Sequence, residues 1–101
     1  MKVVWTQRVQ ARLQAIRAHM RKADPRAADK VVRTLVKKSR RLGWPGMARS
    51  GRSVPESADP DVLELVVAPY RVIYTVLPQR IDVLTVMHER QLLPGDADAL
   101  G

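Results

Sequence analysis

Apolar residues in the first forty or so positions recur at helical spacing, whereas those beyond position 61 alternate or run together as they do in strands. Val3-Val4-Trp5 is a short β-prone run. Thr6 then stands as an N-cap, and Val9, Leu13, Ile16 and Met20 follow at intervals of four, three and four. That spacing predicts a helix with Arg8, Arg12, Arg17 and Arg21 on its exposed side. Asp24-Pro25 is a second start signal, an N-cap carboxylate followed by proline at a position where its missing N–H is not needed. From Pro25 the helix should run to about Leu42, where Gly43 supplies the stop. On a helical projection Lys30, Arg33, Lys37, Arg40 and Arg41 fall within an arc of about 100°. Ala28, Val32, Leu35, Ser39 and Leu42 lie opposite them. Two amphipathic helices joined by a short connection predict an antiparallel hairpin.

The stretch from Trp44 to Asp61 holds three prolines and two of the five glycines, so it reads as a long loop, with a short edge strand around Ser53. Val62–Val67, Arg71–Leu77 and Ile81–Met87 are strand-like runs separated by Ala68-Pro69-Tyr70 and Pro78-Gln79. The predicted fold class is α+β: an N-terminal strand, then a helical hairpin packed on one face of a small, mainly antiparallel sheet. One domain over residues 1–94 accounts for these elements, and 95–101 reads as a short acidic tail.

If Leu77 pairs with Arg80 across the last turn, a constant register places Arg71 opposite Val86. Val72, Tyr74, Val76, Ile81, Val83 and Met87 would then face the helices. Arg71, Ile73, Thr75, Leu77, Asp82, Leu84, Val86 and His88 would share the outer face. An apolar outer face implies a cover, either another chain or the long loop. Arg71 has two readings here: a structural arginine paired with Glu64 or Asp82, or a fixed cation beside His88 as acid/base, the pairing that phosphodiester cleavage would use.

Composition narrows the chemistry. The chain has no cysteine, which removes disulfides and thiol nucleophiles, and only His19 and His88 as histidine ligands, so neither a metal site nor a cofactor is expected. The polar, Arg-rich start lacks a signal-peptide pattern, and no apolar run is long enough for a membrane span, so a cytoplasmic location is expected. The net charge of +8 is unevenly placed. Residues 1–53 carry 15 Lys/Arg against Asp24 and Asp29, while residues 54–101 carry three arginines against eight carboxylates. Such a basic half points to a polyanionic or acidic partner.

Pro69-Tyr70-Arg71-Val72-Ile73-Tyr74, followed by the strand Ile81–Met87 and His88-Glu89-Arg90, resembles the RelE/ParE superfamily of bacterial type II toxins. The order strand, helix, helix, sheet, the basic bias and Trp5 before the first helix agree with that resemblance, which covers roughly residues 2–94. It implies a toxin held inactive by a cognate antitoxin that covers hydrophobic and basic surfaces, here expected at Ile73, Leu77, Leu84 and Val86. RelE-like members cleave messenger RNA at the ribosome; ParE-like members poison DNA gyrase. For the nuclease branch the resemblance assigns Arg71 and Arg90 to phosphate contacts and His88 to acid/base work. Arg49 and Arg52 are then the nearest substitutes for the lysine pair of many RelE nucleases, and arginine is a poor general base. Together with Lys37, Lys38 and Arg41 they are the residues expected to bind the target or nucleic acid. The ending His-x-Arg-x-x-Leu-Pro is ParE-like, so the leading expectation is a gyrase-inhibiting binder rather than an enzyme. A ribosome-dependent, metal-independent endoribonuclease is the alternative, and a simple nucleic-acid-binding module ranks last.

Overall fold

The computed structural model describes residues 1–93, and the predicted tail at 95–101 lies outside the described residues. Strand β1 (Lys2–Trp5) leads into helix α1 (Gln7–Arg21) and helix α2 (Pro25–Arg40), which ends in a 3-10 turn over Arg41–Gly43. After the long loop come β2 (Arg52–Ser53), β3 (Val62–Val67), β4 (Tyr70–Val76) and β5 (Arg80–His88). They form one five-stranded sheet in the order β1-β5-β4-β3-β2, in which only the β1–β5 pairing is parallel. The helical hairpin and the short strand at Arg52–Ser53 follow the pattern read from the sequence.

Both helices start where their capping residues dictate. Asp24 accepts from the N–H groups of Arg26 and Ala27, and Thr6 Oγ1 accepts from Val9 at 3.3 Å. The inward stripe of α2 is the predicted one, with Ala28, Val32, Leu35 and Ser39 buried. Ser39 enters the core because its hydroxyl donates to the Leu35 carbonyl at 2.7 Å. Against this stripe pack Val9 and Ile16 of α1 and the sheet residues Leu63, Val72, Tyr74 and Ile81. Tyr74 is fully buried, and its hydroxyl accepts from the Gly51 N–H at 3.0 Å. Gly51 is needed there because a Cβ would stand 2.5 Å from the Glu64 carbonyl oxygen and 2.6 Å from that hydroxyl.

One departure from the predicted register changes both faces of the sheet. Val76, Thr75 and Tyr74 oppose Ile81, Asp82 and Val83, but the next pair is Ile73 with Thr85, so Leu84 is an extra residue in β5. Beyond that bulge Val72 opposes Val86, Arg71 opposes Met87 and Tyr70 opposes His88. A shift of one residue inverts every later side chain. Val86 therefore belongs to the helix-facing core and not to the outer face, while Met87 moves the other way. His88 does not share a face with Arg71, contrary to the constant-register expectation.

The outer face has its own cover. Ile73, Leu84 and Met87 are buried together with Val62, with Val54 of the long loop and with Leu93 beyond β5. Of the two covers left open by the sequence, the loop supplies one part, and the segment after β5 supplies the other.

The end of β1 leaves a hydrogen-bonding need that Thr6 and α1 meet. Strand β1 ends at Trp5, opposite Val83, so the β5 carbonyls beyond lose their neighbour on that side. The Thr6 N–H donates to the Val83 carbonyl at 3.3 Å, its hydroxyl donates to Leu84 at 3.2 Å, and Arg12 Nε donates to Val86 at 3.0 Å. Thr6→Val keeps the shape but removes both the cap and the bond to Leu84. It should cost about 1–2 kcal/mol, read as a lower urea midpoint with an unchanged m-value.

Candidate functional site

Arg71 stands on the outer face of β4 and is only 5% exposed. Each of its five N–H donors has an acceptor. Nε donates to Glu64 Oε2 at 2.7 Å, and Nη2 reaches the same oxygen at 2.6 Å. Glu56 of the long loop takes two parallel bonds of 2.9 Å, and the Gln91 carbonyl accepts the last at 3.0 Å. Glu64 also accepts from Arg52 Nε at 2.6 Å, and Glu56 accepts from the Leu93 N–H at 2.9 Å. One guanidinium thus fastens β3, the loop and the segment after β5. The hydrogen bond from Arg71, against the opposing effect of burial, lowers the Glu56 pKa to about 2. Glu56 in turn raises that of Arg71, again opposed by burial.

The cleft above this network, of about 620 Å³, is lined by Arg52 and Arg71 but also by Glu56, Glu64 and Glu89. It offers a polyanion no net positive field. The structural pairing of Arg71 with Glu64 is realised, with Glu56 added. No signal in the sequence singled out Glu56, since a carboxylate in an irregular loop has neither period nor motif spacing.

His88 lies on the helix side at the end of β5. Its ring meets Tyr70 edge-on with centroids 6.0 Å apart, and its Nδ1 accepts from the Arg90 N–H at 3.2 Å. Arg90 itself is exposed in the turn that follows. The sheet therefore stands between Arg71 and His88.

The basic residues divide into two groups. Arg49 is paired with Asp61 at 2.5 Å and Arg52 with Glu64, so the loop arginines are neutralised in place. Among the described residues, Arg33, Lys37, Lys38, Arg40 and Arg41 form no ion pair. A groove of about 450 Å³ runs beside α2, with Val32, Val36 and Trp44 as its apolar part and Arg33, Lys37 and Arg40 among its cations. Trp44 is 59% exposed, and the Arg41 guanidinium sits 5.6 Å from its ring centroid. Lys38 lines a smaller cleft with Met47 and Ser50. Arg33 and Arg40 fell within the charged arc of the sequence but were not singled out as binding residues. Trp44 carried no signal beyond being a tryptophan in a loop.

Of the residues expected to meet an antitoxin, Ile73 and Leu84 are sealed beneath the loop, Val86 lies in the helix-side core, and Leu77 is half-buried at the β4–β5 turn.

The helical hairpin on one face of a five-stranded mixed sheet has a counterpart among solved structures. The solved structure described as "Chromosomal ParDE TA system from P. aeruginosa" matches with a TM-score of 0.73 and 27% identity, covering 87% of this chain and 95% of that one. The family model for the ParE toxin of the type II toxin-antitoxin system parDE matches residues 3–93, and the chain belongs to that family. No curated protein matches it.

The Glu56–Arg71 pair has a defined pH signature. Because the folded-state pKa lies below the ordinary carboxylate value, the stabilisation is complete above that value and fades as pH falls from about 4.5 to about 2. Glu56→Gln should therefore cost about 2 kcal/mol at pH 7, less than stripping a buried arginine of all its partners because Glu64 remains. The difference from the parent should close near pH 2. Urea unfolding of both proteins at the two pH values measures it.

Proposed function

We propose that this toxin acts by binding DNA gyrase and that its antitoxin neutralises it by occupying the groove along α2. The observation that carries the binder reading is the complete use of the Arg71 donors by Glu56, Glu64 and Gln91. A phosphate contact would require one of these bonds to be given up, and His88 is on the far side of the sheet. The groove offers what an acidic, amphipathic segment needs: apolar contact at Val36 and Trp44, with unpaired cations at Arg33, Lys37 and Arg40. Lys37 and Arg41, expected from the sequence to bind the target or nucleic acid, line this groove and are assigned here to the antitoxin instead. Arg49 and Arg52, expected in that same target-binding role, are already paired.

Toxin freed of antitoxin and added to gyrase with supercoiled DNA should trap double-strand breaks, and His88→Ala should leave that activity within about twofold. Messenger RNA cut on translating ribosomes, with gyrase unaffected, would overturn the reading in favour of the endoribonuclease.

The groove makes a separate prediction. Lys37→Glu combined with Arg40→Glu, both on the exposed side of α2, should weaken antitoxin binding by about tenfold or more, with most of the loss in the association rate at low salt. Surface plasmon resonance at two salt concentrations separates this from a folding defect, which would reduce active protein without changing the rate constants.

A further inference from the structure

A second pocket, of about 410 Å³, lies between α1 and the end of β5, away from both the groove and the Arg71 cleft. Arg12, His19, Tyr70, His88 and Gln91 bring all its polar groups, and no carboxylate lines it. Glu89, the nearest acid in sequence, lines the opposite cleft. Among the described residues neither Arg12 nor either histidine forms an ion pair.

The polar atoms left free are mostly donors. Arg12 spends Nε on the Val86 carbonyl, which fixes the guanidinium and leaves its four Nη hydrogens. His88 uses Nδ1 to accept from the Arg90 N–H, so in the neutral ring the proton is on Nε2. Gln91 uses its side-chain oxygen to accept from the His88 N–H at 2.9 Å, which leaves the amide NH₂. His19 is two helical turns beyond Arg12 on the same side of α1. Acceptor capacity is limited to the Tyr70 oxygen, whose O–H is directed to Met20 Sδ at 3.8 Å, the second lone pair of the Gln91 oxygen and one nitrogen of a neutral His19 ring. A neutral ligand with its own donors would find few acceptors, whereas an oxyanion would find a guanidinium fork, an imidazole N–H and an amide NH₂ lining one pocket.

We propose that this pocket binds an oxyanion of the phosphate class, either as the free ion or as the phosphate of a nucleotide. Donors on two secondary-structure elements and one turn suit a tetrahedral ion with several oxygens better than a planar carboxylate. The crossed rings of Tyr70 and His88 form a wall beside it that a base can contact. The site is independent of the antitoxin reading, since none of its residues belongs to the groove.

Isothermal titration of the full chain with inorganic phosphate, adenosine monophosphate and a glutamate-rich peptide tests the proposal, with the histidine ring resonances followed by NMR. Saturable binding of phosphate that shifts the His19 and His88 signals is the expected result. Gln91→Glu retains the acceptor for the His88 N–H but adds a negative charge, and it should weaken phosphate binding by about tenfold or more. His19→Gln, at an exposed position that cannot unfold the chain, should weaken it by a smaller factor. Lys30→Gln removes a charge outside the pocket and should change nothing. Tighter binding of the monophosphate than of free phosphate would support the nucleotide as source, and equal binding would support the ion. Absence of saturable phosphate binding, equal sensitivity to Lys30→Gln, or binding of the peptide alone would overturn it.

Discussion

Between Val83 and Thr85 the last strand carries one residue more than the strand beside it, and the two faces of the sheet exchange their later side chains as a result. Without Leu84 as the extra residue, His88 would stand beside Arg71 and Val86 would face outward. With it, Val86 completes the core against the helices, and Met87 joins Ile73 and Val54 on the other side. At the same level β1 ends, which leaves β5 carbonyls that it cannot reach. Thr6 and Arg12 take them, which ties the first helix to the sheet at the level where the strand changes face. Core composition and the position of the histidine both depend on that one irregularity.

Charge is arranged by the same economy. Four carboxylates of the acidic second half are used internally: Glu56 and Glu64 hold Arg71, Glu64 holds Arg52, Asp61 holds Arg49 and Asp82 holds Arg80. What remains unpaired is concentrated along α2, where no carboxylate approaches Arg33, Lys37 or Arg40 among the described residues. A net charge of +8 thus understates the field at that surface and overstates it over the sheet. The buried guanidinium contributes more to shape than to net stability, because desolvating three charged groups offsets much of their attraction. Its value is that it fixes the loop and the segment after β5 in a single arrangement.

The helices were legible because their apolar period and their caps agree: Thr6 and Asp24 mark starts, and Ala28, Val32, Leu35 and Ser39 are the buried face that the angles predict. The strands were legible for the same reason, within one residue at their ends. The bulge was not, since Leu84-Thr85-Val86 is equally β-prone in either register and the choice depends on what each face packs against. The candidate site suffered accordingly. Arg71 was found from its motif and its Glu64 partner was anticipated, but Glu56 came from a loop that has no period to read. The groove was half visible, because the basic arc of α2 is written in the sequence while the exposure of Trp44 depends on where the chain turns after Gly43.

The parallel pairing of β1 with β5 joins Lys2 to Arg80, residues at nearly opposite ends of the chain. During synthesis, the first strand and its helices therefore emerge long before the strand that must lie beside them exists. Until Val83 has left the ribosome, Val9, Ile16 and Leu35 have only the β3–β4 hairpin to cover, and β1 has no strand to pair with. Final closure is an event of high sequence separation, set by the last strand rather than by the helices. A binding partner that recognises the α2 groove meets a surface whose local elements form early but whose fixed geometry comes last.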